Sequence, residues 1–385
     1  MPGAQASFAC CDRCANLGTD RPATVVGSGG AATVARRRLL KAAVSRRVTG
    51  SEALRTTAAA HPGPSGRASA ASAAAGSGTA PVPQDADSEP ADFADVAQQP
   101  RTVWGTVYDV SPHVLVIGDV GREQRFILTP DAVAWRGHLM EPAALSHGDH
   151  VIIRLHPGHR DVADRIWANI GRVTGVIVER WGGTLLVDEG ATRGQQVITL
   201  HPSALGRIQV RFPTLEPGYL VDIIGLRDGE ELVGMIPATS QPAYPADSMP
   251  AAPLVNGRAV GAISGSATWH EPRGEPAGIL GVDYPALDPE TGCAEDAATG
   301  TREGFARLPY LAIGSVLRVR NECTGLDCLV PVTGCASIAR LFNDRCVTCG
   351  TSPRGRIADL TLASFISLGG ELERGCFNVT VTIGE

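Results

Sequence analysis

Lysine is almost missing from this chain of 385 residues: among 34 basic residues, Lys41 is the one lysine and the rest are arginines. The net charge is −6, and no basic block occurs beyond the first 60 residues. Such a chain is a poor candidate for nucleic-acid binding by charge, so no nucleic acid is expected as a partner. Long apolar runs are missing too. Nothing approaches the ~18 residues of a membrane span, so no integral membrane span is expected. Aromatic side chains are scarce at 5%, and cysteine is absent between residues 101 and 240. What is abundant is Gly and Pro, 45 and 27 residues, well above their usual combined share of ~12%. With many short Val, Ile and Leu runs between them, they predict an all-β chain rather than a helix bundle.

Residues 1–100 read as a disordered leader. From Thr56 to Gln99 the chain is Ala, Gly, Ser and Pro with scattered acids, and has no apolar periodicity. It cannot bury enough area to offset its chain entropy. Within the leader, Arg36-Arg37-Arg38-Leu39-Leu40-Lys41 resembles the twin-arginine export signal. Arg36 and Arg37 take the paired positions and Lys41 the closing one. The apolar stretch that should follow is cut short by Ser45-Arg46-Arg47. In a chain that otherwise avoids lysine, Lys41 at that place is an independent hint of export to the envelope or beyond. Cys11 and Cys14 have metal-ligand spacing, but no nearby His or Cys completes a set.

From Thr102 the pattern becomes regular and then repeats. Gly105 and Gly175, Leu115 and Leu185, Gly148 and Gly218, and Val151 and Val221 all stand 70 residues apart. A repeat of that length implies a duplicated small domain. Each copy holds four or five short strands, enough for a small closed barrel of the OB or SH3 kind. The copies are predicted at 101–165 and 166–240. The strand after Gly148 or Gly218 should be buried on both faces. His147, His150, His156 and His159 cluster in the first copy without a counterpart in the second, which favours surface histidines over a metal site. No metal or cofactor is expected anywhere.

A Pro/Ala-rich linker at 241–256 leads to a Cys-rich domain at 257–385. It holds Cys293, Cys323, Cys328, Cys335, Cys346, Cys349 and Cys376, seven of the ten cysteines. This segregation suits disulfides in an exported domain, whose connectivity is not readable. A four-cysteine zinc site is the alternative.

Three stretches of this domain occur in a telling order: Gly265-Ser-Ala-Thr-Trp269, then Gly314-Ser-Val-Leu-Arg-Val-Arg-Asn321, then Asp344-Arg345-Cys346-Val-Thr-Cys349 with Asp359-Leu360-Thr361. Together they resemble the double-psi β-barrel family of rare lipoprotein A, the expansins and barwin-like proteins. The resemblance covers about 120 residues. It implies a six-stranded barrel that binds cell-wall polysaccharide, peptidoglycan or another glycan. In catalytic relatives the Asp of the Asp-Arg element is the general acid, which maps to Asp344, with Glu303 as a second carboxylate. Arg345 and Arg356 beside Asp344 favour its ionised form over a proton donor, and Ala306 stands where those relatives have a His. The expectation is therefore expansin-like binding without cleavage, through Trp269, Tyr310, Arg345, Arg356 and Asp359. A lytic glycosidase and a disulfide-stabilised inhibitor or interaction module are the alternatives. Asp359 and Thr361 are both suitable N-cap residues for a helix ending at Gly369-Gly370.

Overall fold

The computed structural model describes residues 101–119, 121–250, 255–256, 261–272, 278–288, 308–346 and 353–383. The leader, with Arg36, Arg37, Lys41, Cys11 and Cys14, lies outside the described residues. The described chain forms three closed β-barrels of five, five and six strands.

The first barrel contains β1 (Thr102–Val110), β2 (Val114–Asp119), β3 (Arg122–Trp135), the short β4 (Leu139–Met140), β5 (His150–Leu155) and β6 (Val162–Ala168). Five of these close in the order β1-β2-β3-β6-β5, with β4 attached to the end of β3. All neighbours are antiparallel except β3 and β6, which run parallel. The second barrel repeats this with β7 (Ile170–Trp181), β8 (Thr184–Asp188), β9 (Gln195–Leu200), β10 (Leu220–Asp228) and β11 (Glu231–Pro237). Its order is β7-β8-β9-β11-β10, with β9 and β11 parallel. This is the OB arrangement rather than the SH3 one.

The 70-residue repeat holds down to single hydrogen bonds. Gly105 faces Val151, and Gly175 faces Val221. The Gly148 N–H donates to Val107 O at 2.9 Å, and the Gly218 N–H to Ile177 O at 2.8 Å. Both glycines adopt positive φ, +88° and +89°, where a side chain would be strained. The strand that follows Gly218, β10, is buried on both faces until its last three residues. The copies differ where the sequence inserts residues: the second has the short helix Leu205–Arg211, and the first has the 3-10 turn Pro142–Ala144.

The boundary between the copies lies later than the predicted 165/166, because β6 runs on to Ala168. The turn is made at Asn169, with φ 51°. Its amide accepts from the His150 N–H at 2.8 Å and donates to Asp149 Oδ1 at 2.7 Å. Asn is among the few side chains that tolerate the left-handed region.

The segment leaving the second barrel is not a free linker. It first forms β12 (Thr239–Ser240), and then Ala246 and Met249 bury themselves against Leu220 and Phe342. Its apolar side chains gain more by docking than by remaining in water. After β13 (Val255–Asn256) come β14 (Ala262–His270), β15 (Val282–Tyr284), β16 (Val316–Asn321), β17 (Asp327–Cys335), β18 (Asn343–Cys346), β19 (Arg354–Thr361) and β20 (Cys376–Ile383). Six of them close in the order β14-β19-β15-β17-β16-β20. Two pairs, β14 with β19 and β15 with β17, are parallel, which agrees with the expected double-psi barrel. β18 bridges the edge of β19 to β12. Thr361 caps the helix Leu362–Ser367, its hydroxyl accepting the Ser364 N–H, and Gly369 follows at φ +76°.

Each OB barrel has its own core. A further apolar cluster runs across all three barrels, joining Trp135 and Trp167 of the first, Ile170 and Ile224 of the second, and Trp269 of the third. Glu373 links the outer barrels by an ion pair with Arg165 and by accepting the Trp167 indole N–H at 2.6 Å.

Candidate functional site

β18 starts the Asp344-Arg345 element at the seam between the second and third barrels. Asp344 is 1% exposed, and four donors surround its carboxylate. Oδ1 accepts from Gln241 Nε2 and Arg356 Nη2, both at 2.9 Å; Oδ2 accepts from Ser266 Oγ and Arg356 Nε, both at 2.8 Å. Arg356 also reaches out of its own barrel. Its Nη2 donates to Asp222 Oδ2 at 2.7 Å, and its Nη1 to Thr174 Oγ1 at 3.0 Å. Arg172 completes the network with two bonds to Asp222, at 2.8 and 2.7 Å, and donates to the Trp269 and Gly375 carbonyls. Burial opposes the charge on both Arg356 and Asp222, but their partners prevail. The carboxylates of Asp344 and Asp222 hold the Arg356 guanidinium above its ordinary range, and Arg172 and Arg356 hold Asp222 below its own. All donors and acceptors are internal, so this network locks two barrels together and leaves Asp344 no face for a substrate.

A second polar cluster lies nearer the surface. Asp283 on β15 and Asp359 on β19 stand directly opposite each other across an antiparallel pair. Thr268 on β14 donates to Asp359 Oδ1 at 2.8 Å. Arg193, from the loop between β8 and β9 of the second barrel, places Nη2 at 2.7 Å from Asp283 and 3.1 Å from Asp359. His270 Nε2 is 3.7 Å from Asp283 Oδ2 and has no hydrogen-bond partner. Burial would raise the Asp359 carboxyl, but the charges of Arg193, His270, Arg356 and Arg172 outweigh it and lower the group to about 2. At neutral pH it accepts hydrogen bonds and cannot donate a proton.

These positions correct several expectations. Trp269 is fully buried, its ring N–H bonded to Leu372 O, and cannot stack on a sugar. Its neighbours on β14 are buried too, because that strand is covered on both sides. Arg356 is equally buried and acts as a strut, not as a ligand contact. Asp359 is 3% exposed, and Thr361, not Asp359, supplies the helix cap. Arg345 and Tyr310 do reach the surface, Tyr310 at 64% exposure. Glu303 lies outside the described residues, as do Cys293, Cys349 and the side chain of Cys346. Cys323 is exposed, and Cys328, Cys335 and Cys376 are buried. His147, His150, His156 and His159 are all exposed. No helix among the described residues is long and apolar enough to cross a membrane.

Sequence reasoning missed Asp222, Arg172, Asp283 and Arg193. Asp222 had a readable signal. It is a lone charge within the run Leu220-Val-Asp-Ile-Ile224, and a charge inside a strand buried on both faces requires a partner.

No protein family model matches the chain, and no curated protein does. Among similar solved structures is a multidomain protein with nucleic acid binding domains from Streptococcus pneumoniae TIGR4. It is 15% identical, with a TM-score of 0.14, over 38% of this chain and 54% of the other. The match thus spans about half the length of that chain, and a likeness so slight assigns no function.

Proposed function

We propose that this chain is an exported cell-envelope protein whose third barrel binds cell-wall polysaccharide without cutting it. One observation supports this most directly. Asp344 is saturated by four internal donors, and Asp359 is lowered to about 2, so both carboxylates are fixed acceptors. A glycosidase needs a carboxyl that is both open to its substrate and protonated at working pH, and neither of these buried groups is both. Tyr310 and Arg345 supply exposed contacts on the same barrel. The cysteine segregation and the Arg36-Arg37 motif support export, with disulfides stabilising the third barrel.

The interaction-module reading retains one observation of its own. Tyr310, Ile313, Val316 and Leu329 are all more than half exposed on the third barrel, which leaves apolar side chains available to a partner. Purified sacculi decide between these readings. The full chain should sediment with sacculi and release no soluble muropeptides. Release that is abolished in Asp344→Asn would establish a lytic enzyme instead. Failure to sediment with any insoluble glycan would leave the interaction module.

A further inference from the structure

The Asp283–Asp359 pair belongs to the third barrel, yet the cation that satisfies it comes from the second. The loop that carries Arg193 is a tight turn bounded by two glycines at positive φ, Gly190 at +91° and Gly194 at +68°. It is closed by bonds from Arg193 N to Gly190 O and from Glu189 N to Gly194 O. The guanidinium is thereby presented as a single prong. It enters a seat that the third barrel builds without it: two carboxylates in register, the Thr268 hydroxyl that orients one of them, and a buried imidazole. The His270 side chain is 4% exposed and its Nε2 has no partner. A buried nitrogen directed at a carboxylate and left unbonded is costly, and a ligand atom in the seat would relieve that cost. Asp283 keeps 15% of its side chain exposed, so the seat has a side open to solvent.

We propose that this seat receives an ammonium group of the ligand, a sugar unit bearing a free amine, and that Arg193 is its internal competitor. The inference rests on the saccharide reading above and narrows it to de-N-acetylated amino sugars. Two carboxylates complement an ammonium or guanidinium and have no such preference for the neutral N-acetyl group. Withdrawing Arg193 frees both carboxylates at once, because one nitrogen serves both.

Calorimetric titration of the full chain with two chemically defined probes tests this: a glucosamine hexamer and the matching N-acetylglucosamine hexamer. The wild-type chain should prefer the amine form. Arg193→Ala should bind that form at least about tenfold more tightly and the N-acetylated form unchanged, and Asp283→Asn should lose the preference. If Arg193→Ala does not melt cooperatively, the wild-type chain alone decides. A preference for the amine form that fades at about 0.3 M salt supports the seat. Equal affinity for both hexamers overturns it and leaves general glycan binding intact. Failure of every variant to bind either hexamer or sacculi overturns the saccharide reading itself.

Discussion

Arg356 Nη2 lies 2.7 Å from Asp222 Oδ2, so a guanidinium of the third barrel is anchored on a carboxylate of the second. Both side chains are buried, and Asp222 also holds Arg172. A buried pair adds little over apolar packing, but removing one partner strands the other charge in a low-dielectric site. Here one substitution takes from Arg172 its carboxylate partner and from Arg356 one of two, with Asp344 remaining. Asp222→Ala should therefore destabilise the protein by at least about 3–5 kcal/mol, read as a lower urea midpoint. Because the bond crosses the seam, the second and third barrels should lose structure together. A variant that melts like the wild type would show that the seam is held by the apolar cluster alone.

Trp269 and Tyr310 entered as equal candidates for stacking on sugar rings, and they occupy opposite environments. Trp269 is fully buried beneath Arg172, whose guanidinium carbon sits 5.4 Å from the ring centre. Truncating it to Ala should cost about 3–5 kcal/mol and affect binding only through unfolding. Tyr310→Ala should leave stability within about 0.5 kcal/mol and weaken sedimentation with sacculi. Thermal melts and pelleting of the two variants separate the roles. Loss of binding by folded Trp269→Ala, with none for Tyr310→Ala, would reverse the assignment.

Duplicated positions need not be equally tolerant. Gly105 and Gly175 are equivalent by sequence and by register. A Cβ on Gly105 would first meet the end of the Ile117 side chain, at 2.7 Å, which can turn aside. On Gly175 it would collide with the backbone carbonyl of Asp188, which is fixed in the pairing of β7 with β8. Gly175→Ala should cost about 1–3 kcal/mol, the usual range for overpacking, and Gly105→Ala clearly less. Chemical denaturation of the two variants checks the order.

The barrels were legible because their signals are local. A strand and its turn announce themselves within ten residues, and the duplication repeats that local text at a fixed offset. The closed six-stranded third barrel was expected, and Thr361 was one of two cap candidates by residue type. The site was not readable, because its bonds join residues far apart in the chain. Arg356 meets Asp222 across 134 positions and Thr174 across 182, and Arg193 meets Asp283 across 90. Motif resemblance drew attention to Asp344 and Arg356 as residues facing a glycan, whereas both are buried and bond to the neighbouring barrel's side of the seam. The segment at 241–256 was misread for a related reason. Its Pro/Ala composition suggests a linker, while Gln241 and Met249 are buried within the seam.

Acid should act on this fold partly through Asp359. Its carboxyl falls from an ordinary 3.8 to about 2 on folding, since Arg193 and its other cationic neighbours outweigh the cost of burial. A lowered folded value means that the unfolded chain binds the proton more readily. The stabilisation is therefore complete above about pH 4 and is lost as pH falls through about 2, amounting to about 2 kcal/mol. Asp222 is shifted in the same direction and adds to the loss. In Asp359→Asn the group no longer titrates, so its contribution to acid sensitivity should vanish. The wild type should lead the variant at about pH 6, and the gap should narrow by roughly 2 kcal/mol as pH approaches about 2. Urea denaturation at a series of pH values measures that gap directly. A gap that stays constant would mean that Asp359 ionises alike in the folded and unfolded chain, and its role as a fixed, ionised acceptor would have to be abandoned.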